Sequence, residues 1–256
     1  MHKFNFFLTR AKILIRNLLN NKLKRLILDS YIHDLIYIFY PDQCVSCGRF
    51  LIEKRAILCY ACGSDLPRSY MSGIADNRIE KLFFGRLKIH EATSLLIFHK
   101  RSITQKLLHH LKYKGRQDIG AYLGRLLACE MLFSDRFTDL DYILPVPLHP
   151  QRQRNRGYNQ VATFGKQLSD RLCVPYVEHY LKRKGNRISQ TVRNRFERNL
   201  NMVDAFYLDE SGFLKNKHVL LVDDIITTGA TLEACARLIL EIEGTRVSLA
   251  SMAFTE

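Results

Sequence analysis

The chain has 256 residues, 47% of them hydrophobic, enough to bury a full core and leave room for a small second module. Lys and Arg outnumber Asp and Glu by 39 to 25, a formal charge of +14, which points to a polyanionic ligand or partner: pyrophosphate, nucleic acid or an anionic membrane surface. Seven cysteines, four of them in two Cys-x2-Cys pairs, argue against a disulfide framework and for metal in a reducing, cytoplasmic setting.

Residues 1–28 carry Lys3, Arg10, Lys12, Arg16, Lys22, Lys24 and Arg25 with no acid before Asp29. No apolar run approaches the roughly 20 residues of a membrane span, and no small-residue cleavage site follows, so neither an anchor nor a signal peptide is predicted. The pattern predicts a basic amphipathic leader over 1–40, either an exposed helix or one that touches membrane or nucleic acid. Its last part, 30–40, reads as a short amphipathic helix stopped by Pro41.

A module over 41–66 holds Cys44-Val-Ser-Cys47-Gly48 and Cys59-Tyr-Ala-Cys62-Gly63. Each pair forms a knuckle in which two thiolates reach one ion and glycine permits the tight turn, which predicts a structural, tetrahedral Zn²⁺ held by Cys44, Cys47, Cys59 and Cys62. Free thiols and an iron–sulfur cluster are the alternatives. The short gap between the pairs implies a compact ribbon. Residues 67–90 form a linker without clear periodicity, punctuated by Pro67, Gly73 and Gly85, in which Phe83-Phe84-Gly85-Arg86 is expected to pack against a neighbour.

From residue 91 to 256 strands and helices alternate, the signature of a doubly wound α/β domain. A strand is predicted over 92–99. Ile103, Leu107, Leu108 and Leu111 make a helical stripe, as do Ile119, Tyr122, Leu123, Leu126 and Leu127. Between them Lys112, Lys114 and Arg116 surround Gly115 in a basic turn, for which plain solvation is an alternative. The next strand, 141–146, runs into Pro145-Val146-Pro147-Leu148-His149-Pro150, where three prolines end pairing and stiffen the loop. Arg152, Arg154 and Arg156 follow, then Gly157 is expected to open a helix carrying Tyr158, Val161, Phe164 and Leu168 inward; arginines beside a helix N-terminus make an anion site.

A strand over 174–181 feeds the most charged stretch, 182–198, with Lys182, Arg183, Lys184, Arg187, Arg193, Arg195 and Arg198 against Glu197 alone. It reads as a mobile loop, with contact to single-stranded nucleic acid as a competing role. After a strand over 205–208, the run 219–222 is wholly apolar and reads as a central strand of a parallel sheet. Asp223 and Asp224 stand at its carboxyl end, where open α/β sheets bind ligands. The turn Thr227-Thr228-Gly229-Ala230-Thr231 opens a helix over 231–243 with Leu232, Cys235, Ala236 and Ile239 on one stripe and Gly244 as its cap; a strand over 247–254 closes the chain. Carboxylates beside an anion cradle suit a ribose 5-phosphate unit: hydroxyls for the acids, phosphate for the turn. No Gly-x4-Gly-Lys-Ser/Thr loop occurs. Cys129, Cys173 and Cys235 read as buried packing beside apolar stripes, and of the histidines only His149 falls near this site.

The stretch Val-Leu-Leu-Val-Asp-Asp-Ile-Ile-Thr-Thr-Gly-Ala-Thr, 219–231, resembles the phosphoribosyl-pyrophosphate (PRPP) signature of type I phosphoribosyltransferases. With the paired Cys motifs, Leu111-Lys112-Tyr113-Lys114-Gly115-Arg116 and the proline loop followed by Arg156-Gly157-Tyr158-Asn159-Gln160, the chain resembles the ComF family of competence-associated proteins over about 35–256. The resemblance implies a type I phosphoribosyltransferase-like fold with a zinc ribbon and a hood at 67–90. It implies PRPP bound with Mg²⁺ by Asp223, Asp224, Thr227, Thr228, Gly229, Ala230 and Thr231, and pyrophosphate held by the loop of Val146, Leu148, Arg152 and Arg156. Arg195, in a pattern of Gln190, Arg195, Arg198 and Asn199, would join the two acids in catalysis. The acceptor is not readable, and a non-catalytic protein binding single-stranded DNA, with the PRPP site as sensor or relic, is the competing function. Other competence proteins are further expected partners.

Overall fold

The computed structural model describes residues 41–184, 205–209 and 211–255. The predicted leader over 1–40 and the loop residues Gln190, Arg193, Arg195, Arg198 and Asn199 lie outside them. The chain divides into two compact units after Cys59.

In the first unit, Cys44 N–H donates to Arg49 O at 2.8 Å and Gly48 N–H to Cys44 O at 2.9 Å, closing a turn in which Gly48 has φ 74°. That left-handed conformation is what glycine supplies. Gln43 and Phe50 bridge the turn in antiparallel fashion.

The second unit begins with α1 (Tyr60–Ser64) and α2 (Arg78–Leu82) and continues β1 (Ala92–Phe98), α3 (Ile103–Tyr113), α4 (Gln117–Leu132), β2 (Tyr142–Pro145), α5 (Pro150–Arg156), α6 (Gln160–Leu172), β3 (Leu181–Arg183) and β4 (Phe206–Leu208). A 3-10 turn (Ser211–Leu214), β5 (His218–Ile226), α7 (Ala230–Leu240) and β6 (Arg246–Thr255) complete it. Four strands form a parallel sheet in the order β1-β6-β5-β2, and β3 pairs antiparallel with β4 in a separate ribbon.

Period-two alternation along β5 sends successive side chains to opposite faces. Val219 and Leu221 pack in one cluster with Cys235 and Ile239 of α7. Val222 points the other way: a Cβ added to Gly165 of α6 would lie 3.3 Å from its Cγ2. Helices therefore cover both faces, and the middle of β5, Val219 to Val222, is apolar and buried on both of them. On the α6 side two glycines let helices approach closely, since a Cβ at Gly124 of α4 would come within 2.6 Å of Phe164 O.

Four expectations are corrected. Gly157 does not open a helix; it ends α5 at φ 77°, and α6 starts after Asn159, whose side chain accepts Val161 N–H. The arginines thus ride on a short helix of their own. The predicted strand over 174–181 shrinks to an isolated parallel bridge between Ile143 and Tyr176, and the strand begins at Leu181. α7 ends at Leu240, with Gly244 in the following turn. Cys129 and Cys173 are exposed, one on the outer side of α4 and one as the left-handed C-cap of α6, and of these three only Cys235 is buried.

The linker is more ordered than its lack of periodicity suggests. Asn77 caps α2 by accepting from Ile79 and Glu80 N–H, and its amide donates to Ala92 O at 2.7 Å. Glu80 accepts Ala92 N–H at 3.0 Å and Arg136 at 2.5 Å, tying α2 to the first strand. Phe83 is fully buried, as its neighbourhood in the sequence predicted, while Phe84 is exposed.

Candidate functional site

β2 pairs with β5 only as far as Pro145 opposite Val222, whereas β6 follows β5 to Ile226 opposite Phe254. Val146 donates its N–H to Val222 O at 2.8 Å and receives Asn159 Nδ2 on its carbonyl at 3.2 Å, so the proline loop swings away from the sheet there. β5 runs on alone on that side, and a cavity opens at Asp223. The strand does not end at Val222 as its apolar run suggests; it continues through both acids.

That continuation makes the acids unlike each other. Asp224 follows the Val222 face toward α6 and is only 7% exposed. Its Oδ2 receives Gln160 Nε2 at 2.7 Å and faces Lys112 Nζ at 2.7 Å. Gln160 in turn accepts Arg156 Nη1 on Oε1 at 2.8 Å, and the Arg156 guanidinium lies over Tyr113, 5.2 Å from the ring centre. A cation at one end and a carboxylate at the other leave the Gln160 amide a single workable orientation. Asp223 follows the Leu221 face toward Cys235 and Arg183. Burial, and then the Asp224 charge, push its carboxyl well above the usual carboxylate range, against the Asp224 N–H that donates to it at 2.7 Å. Burial likewise lowers the Arg183 guanidinium, and burial together with Asp223 pushes the Cys235 thiol up. Asp224 is compensated and fastened; Asp223 is the acid in want of a partner.

Beyond Ile226 the chain turns through Thr227 and Thr228, both exposed, to Gly229 at φ 74°, the N-cap of α7. Gly229 has no side chain to cap this helix, and among its first N–H groups that of Ala230 reaches Thr228 Oγ1 at a long 3.4 Å, at the positive end of the helix dipole. Gly229 is required on two counts: its left-handed φ, and the Phe83 ring, which would lie 2.7 Å from an added Cβ. Arg86 braces the turn, donating to Thr228 O at 3.1 Å and pairing with Glu233. Asp223, the turn and the start of α7, including Ala230 and Thr231, surround a cavity of about 260 Å³.

Beside it Lys112, Tyr113, Arg152, Asn155 and Arg156 border a second, larger space of about 580 Å³. Arg152 and Arg154 are exposed, Arg156 and Leu148 half-buried. The structure thus brings Asp223, Asp224, the turn and the arginine helix to one edge of the sheet. Val146 serves that edge with its backbone, both polar groups of which are engaged. Arg195 lies outside the described residues. Sequence reasoning missed Gln160 and Arg183 as members, and it placed Lys112 in a basic turn where the structure puts it near the end of α3, reaching a buried carboxylate. The signal for Gln160 was its place in the Arg-Gly-Tyr-Asn-Gln run; for Arg183 there was none beyond charge.

The sulfurs of Cys44, Cys47, Cys59 and Cys62 lie within 4.8 Å of one another, with Cys47 and Cys59 at 3.8 Å. Tetrahedral zinc with bonds of about 2.3 Å needs sulfurs about 3.8 Å apart, so the set fits that ion. Burial alone would raise the Cys44 thiol, but backbone N–H groups of Cys47, Cys59 and Ser46 outweigh it and hold it at about 6, toward the thiolate a metal requires. Gly63, in contrast to Gly48, needs no left-handed turn because the second pair enters α1.

A second group, His90, Glu91 and His218, gathers at the opposite edge of the sheet. Its donors are engaged: His218 Nδ1 meets Asp139 at 2.8 Å and Nε2 meets Ser248 at 2.8 Å, Glu91 accepts Phe137 N–H at 2.9 Å, and Arg246 approaches His90 at 3.4 Å. The Asp-His-Ser order is that of a hydrolytic triad, yet Ser248 and His218 are wholly buried, so no substrate carbonyl can reach the hydroxyl. This cluster is a structural clip.

The chain is similar in sequence to known proteins. A model of the phosphoribosyl transferase domain matches residues 161–255. The DNA utilization protein YhgH of Salmonella typhimurium is 31% identical over 211 residues, 77% of this chain and 83% of that protein. Competence protein F of Haemophilus influenzae is 29% identical over 214 residues, 78% and 92% of the two chains. The Escherichia coli YhgH is 34% identical over 137 residues, a match spanning 52% of this chain and 60% of that protein's length. Among solved structures, adenine phosphoribosyltransferase from Saccharomyces cerevisiae is 18% identical with a TM-score of 0.34, over 55% of this chain and 69% of that one, a likeness too remote to bear on the site. Among the described residues no helix is long and apolar enough to cross a membrane.

Proposed function

The chain belongs to the ComF family and carries a phosphoribosyl transferase domain, and from that premise we propose that it binds PRPP with Mg²⁺ and transfers the phosphoribosyl group to a base or amine. The observation that carries this reading is the meeting of Asp223, an acid short of partners, with an uncapped helix N-terminus at Gly229, on one cavity. Ribose hydroxyls donate to Asp223 and to the remaining oxygen of Asp224. The 5-phosphate takes the N–H groups of Thr228, Gly229, Ala230 and Thr231 and the hydroxyls of Thr227 and Thr231. The arginine helix takes the pyrophosphate through Arg152 and Arg156, with the backbone at Val146 and Leu148 shaping that loop.

Adjacent carboxylates beside phosphate oxygens are the donor set a hard divalent ion prefers, and the raised Asp223 carboxyl gains from a cation. Mg²⁺ there would neutralise charge on the diphosphate. In transfer, the acceptor lone pair forms a bond to ribose C1 as the bond from C1 to pyrophosphate oxygen breaks, its electron pair leaving with the pyrophosphate. Arg152, Arg156 and Arg195 stabilise the charge that gathers on the leaving group.

Zinc at the four cysteines has no open position and holds structure. Relatives named for competence and DNA utilization support a place in DNA uptake, with single-stranded DNA and other competence proteins as partners; the +14 charge favours direct DNA binding as a second activity. The deciding assay incubates the protein with PRPP, Mg²⁺ and a pool of bases and amines and follows pyrophosphate. Release that depends on one acceptor is expected; release at the background rate with every acceptor removes the transferase claim.

A further inference from the structure

We propose that Arg86 is a positioning residue for the phosphate turn: it holds the Thr228–Gly229 peptide with its N–H toward the cavity at Asp223 and does not itself touch the ligand. The proposal rests on the PRPP reading above and names what keeps the 5-phosphate end of that site in binding shape. The chain passes Gly229 at φ 74°, and glycine populates negative φ about as readily. The peptide before it is therefore one that turns over at little local cost, and a flip would present the Thr228 carbonyl oxygen where a phosphate needs an N–H. Arg86 removes that freedom by donating from Nη1 to Thr228 O at 3.1 Å. In a trans peptide the C=O and N–H point opposite ways, so a carbonyl fixed by Arg86 fixes the Gly229 N–H away from it. Thr228 and Gly229 border the cavity of about 260 Å³ and Arg86 does not; it borders a separate space with Phe84, Lys88 and His90, on the far side of the turn.

The guanidinium is itself held in place. Nη1 also reaches Leu82 O at 3.2 Å, Nη2 meets Glu233, and the group lies 5.7 Å from the centre of the Phe83 ring, the ring that fills the space beside Gly229. Arg237 completes the network, donating to Arg86 O at 2.8 Å and to Glu233 Oε1 at 2.6 Å. The end of α2 and the first turn of α7 are thus fastened together before a ligand arrives, which lowers the ordering cost of binding. The same bonds settle a conflict of charge. Glu233 stands in the first turn of α7, where a bare carboxylate would repel a phosphate at the helix start. Burial alone would raise its carboxyl, but the bonds from Arg237 and Arg86 outweigh it and hold it below its usual value, so the acid stays ionised and covered by two cations.

Substitutions at the two ends of the pair separate this role from plain bracing of the fold. Arg86→Met removes both the bond to Thr228 O and the pair with Glu233. Glu233→Gln removes the ionic pair and leaves Arg86 to hold Thr228 O. The two side chains are 35% and 18% exposed, and an ion pair so placed adds little to stability, so both variants are expected to fold. Wild type and variants, as full chains, are titrated calorimetrically with ribose 5-phosphate and separately with inorganic pyrophosphate and Mg²⁺, and their melting temperatures are recorded. Arg86→Met is expected to bind ribose 5-phosphate about tenfold more weakly, while pyrophosphate, which the arginine helix takes, binds as it does to wild type. Glu233→Gln is expected to bind ribose 5-phosphate at least as tightly as wild type. Arg86→Lys, with one donor arm in place of two, is expected to fall between Arg86→Met and wild type, and it carries the same comparison should the Met variant melt too low to titrate. A Met variant that binds ribose 5-phosphate as wild type does, one that weakens alike for both ligands, or a Glu233→Gln protein that loses as much as the Met variant overturns the positioning role alone. A wild-type chain that binds neither ribose 5-phosphate nor PRPP overturns the PRPP reading with it.

Discussion

Asp223 and Asp224 are neighbours in sequence and opposites in circumstance. One residue of a strand separates a carboxylate tied to Lys112 and Gln160 from one held above its normal pKa by burial and by the other's charge. The sequence shows the pair, the glycine and the threonines, and so shows that a sugar phosphate suits this edge. It does not show which acid is compensated, because Lys112 and Gln160 arrive from α3 and α6, far along the chain. Lys112 illustrates the difficulty: in sequence it belongs to a basic run, for which water is the ordinary partner. The structure predicts that Lys112→Met destabilises the fold by about 3 kcal/mol, the lower end for stripping one partner from a buried ion pair, since Gln160 remains. Urea unfolding should measure it, and the loss should shrink when Asp224→Asn is present. A Lys112→Met protein as stable as wild type would return the residue to the solvated surface.

At the scale of elements, apolar period and length located β1, α3, α4, β4, β5 and β6 to within a few residues. What failed were positions where one residue type has two uses. Gly157 serves as well after a helix as before one, and its φ of 77° shows the former. Cys129 and Cys173 sit near apolar stripes but one step off them, and such a step turns a side chain to solvent. Gly229 is the reverse case, where turn chemistry was readable and the Phe83 ring beneath it was not. Gly229→Ala meets both the ring and an unfavourable φ, so it should cost about 1–3 kcal/mol and weaken PRPP binding together. A variant that loses stability while binding PRPP normally would separate the turn from the phosphate. For the ribbon, metal analysis should find one zinc per chain, and a chelator should lower the melting temperature of the wild type but not of Cys44→Ser. Two metals or none would contradict a single four-thiolate site.

At the scale of the second unit, the two proposed anion sites share one sheet edge and a clip centred on the buried His218 closes the other, as open α/β sheets place their ligands. The excess of positive charge exceeds what one PRPP needs, and seven basic residues fall between 182 and 198. If these meet single-stranded DNA, log affinity should fall linearly with log salt, and Arg193→Ala, Arg195→Ala and Arg198→Ala together should flatten the slope by roughly 2. An unchanged slope would take this stretch out of DNA binding. Composition made that charge legible from the start, while the partner it serves depends on where the charges gather in space.

The central claim is that Asp223 gives up stability to hold a ribose. Its folded pKa is raised above the ordinary 3.8, so the fold favours its protonated form, and stability falls as pH climbs from 3.8 through the folded value. Asp223→Asn removes that penalty. The measurement is one protein pair at pH 7.5, wild type and Asp223→Asn, each melted alone and titrated calorimetrically with PRPP and Mg²⁺. The account predicts a variant that melts higher and binds at least tenfold more weakly; a variant that binds PRPP as tightly as wild type would contradict it.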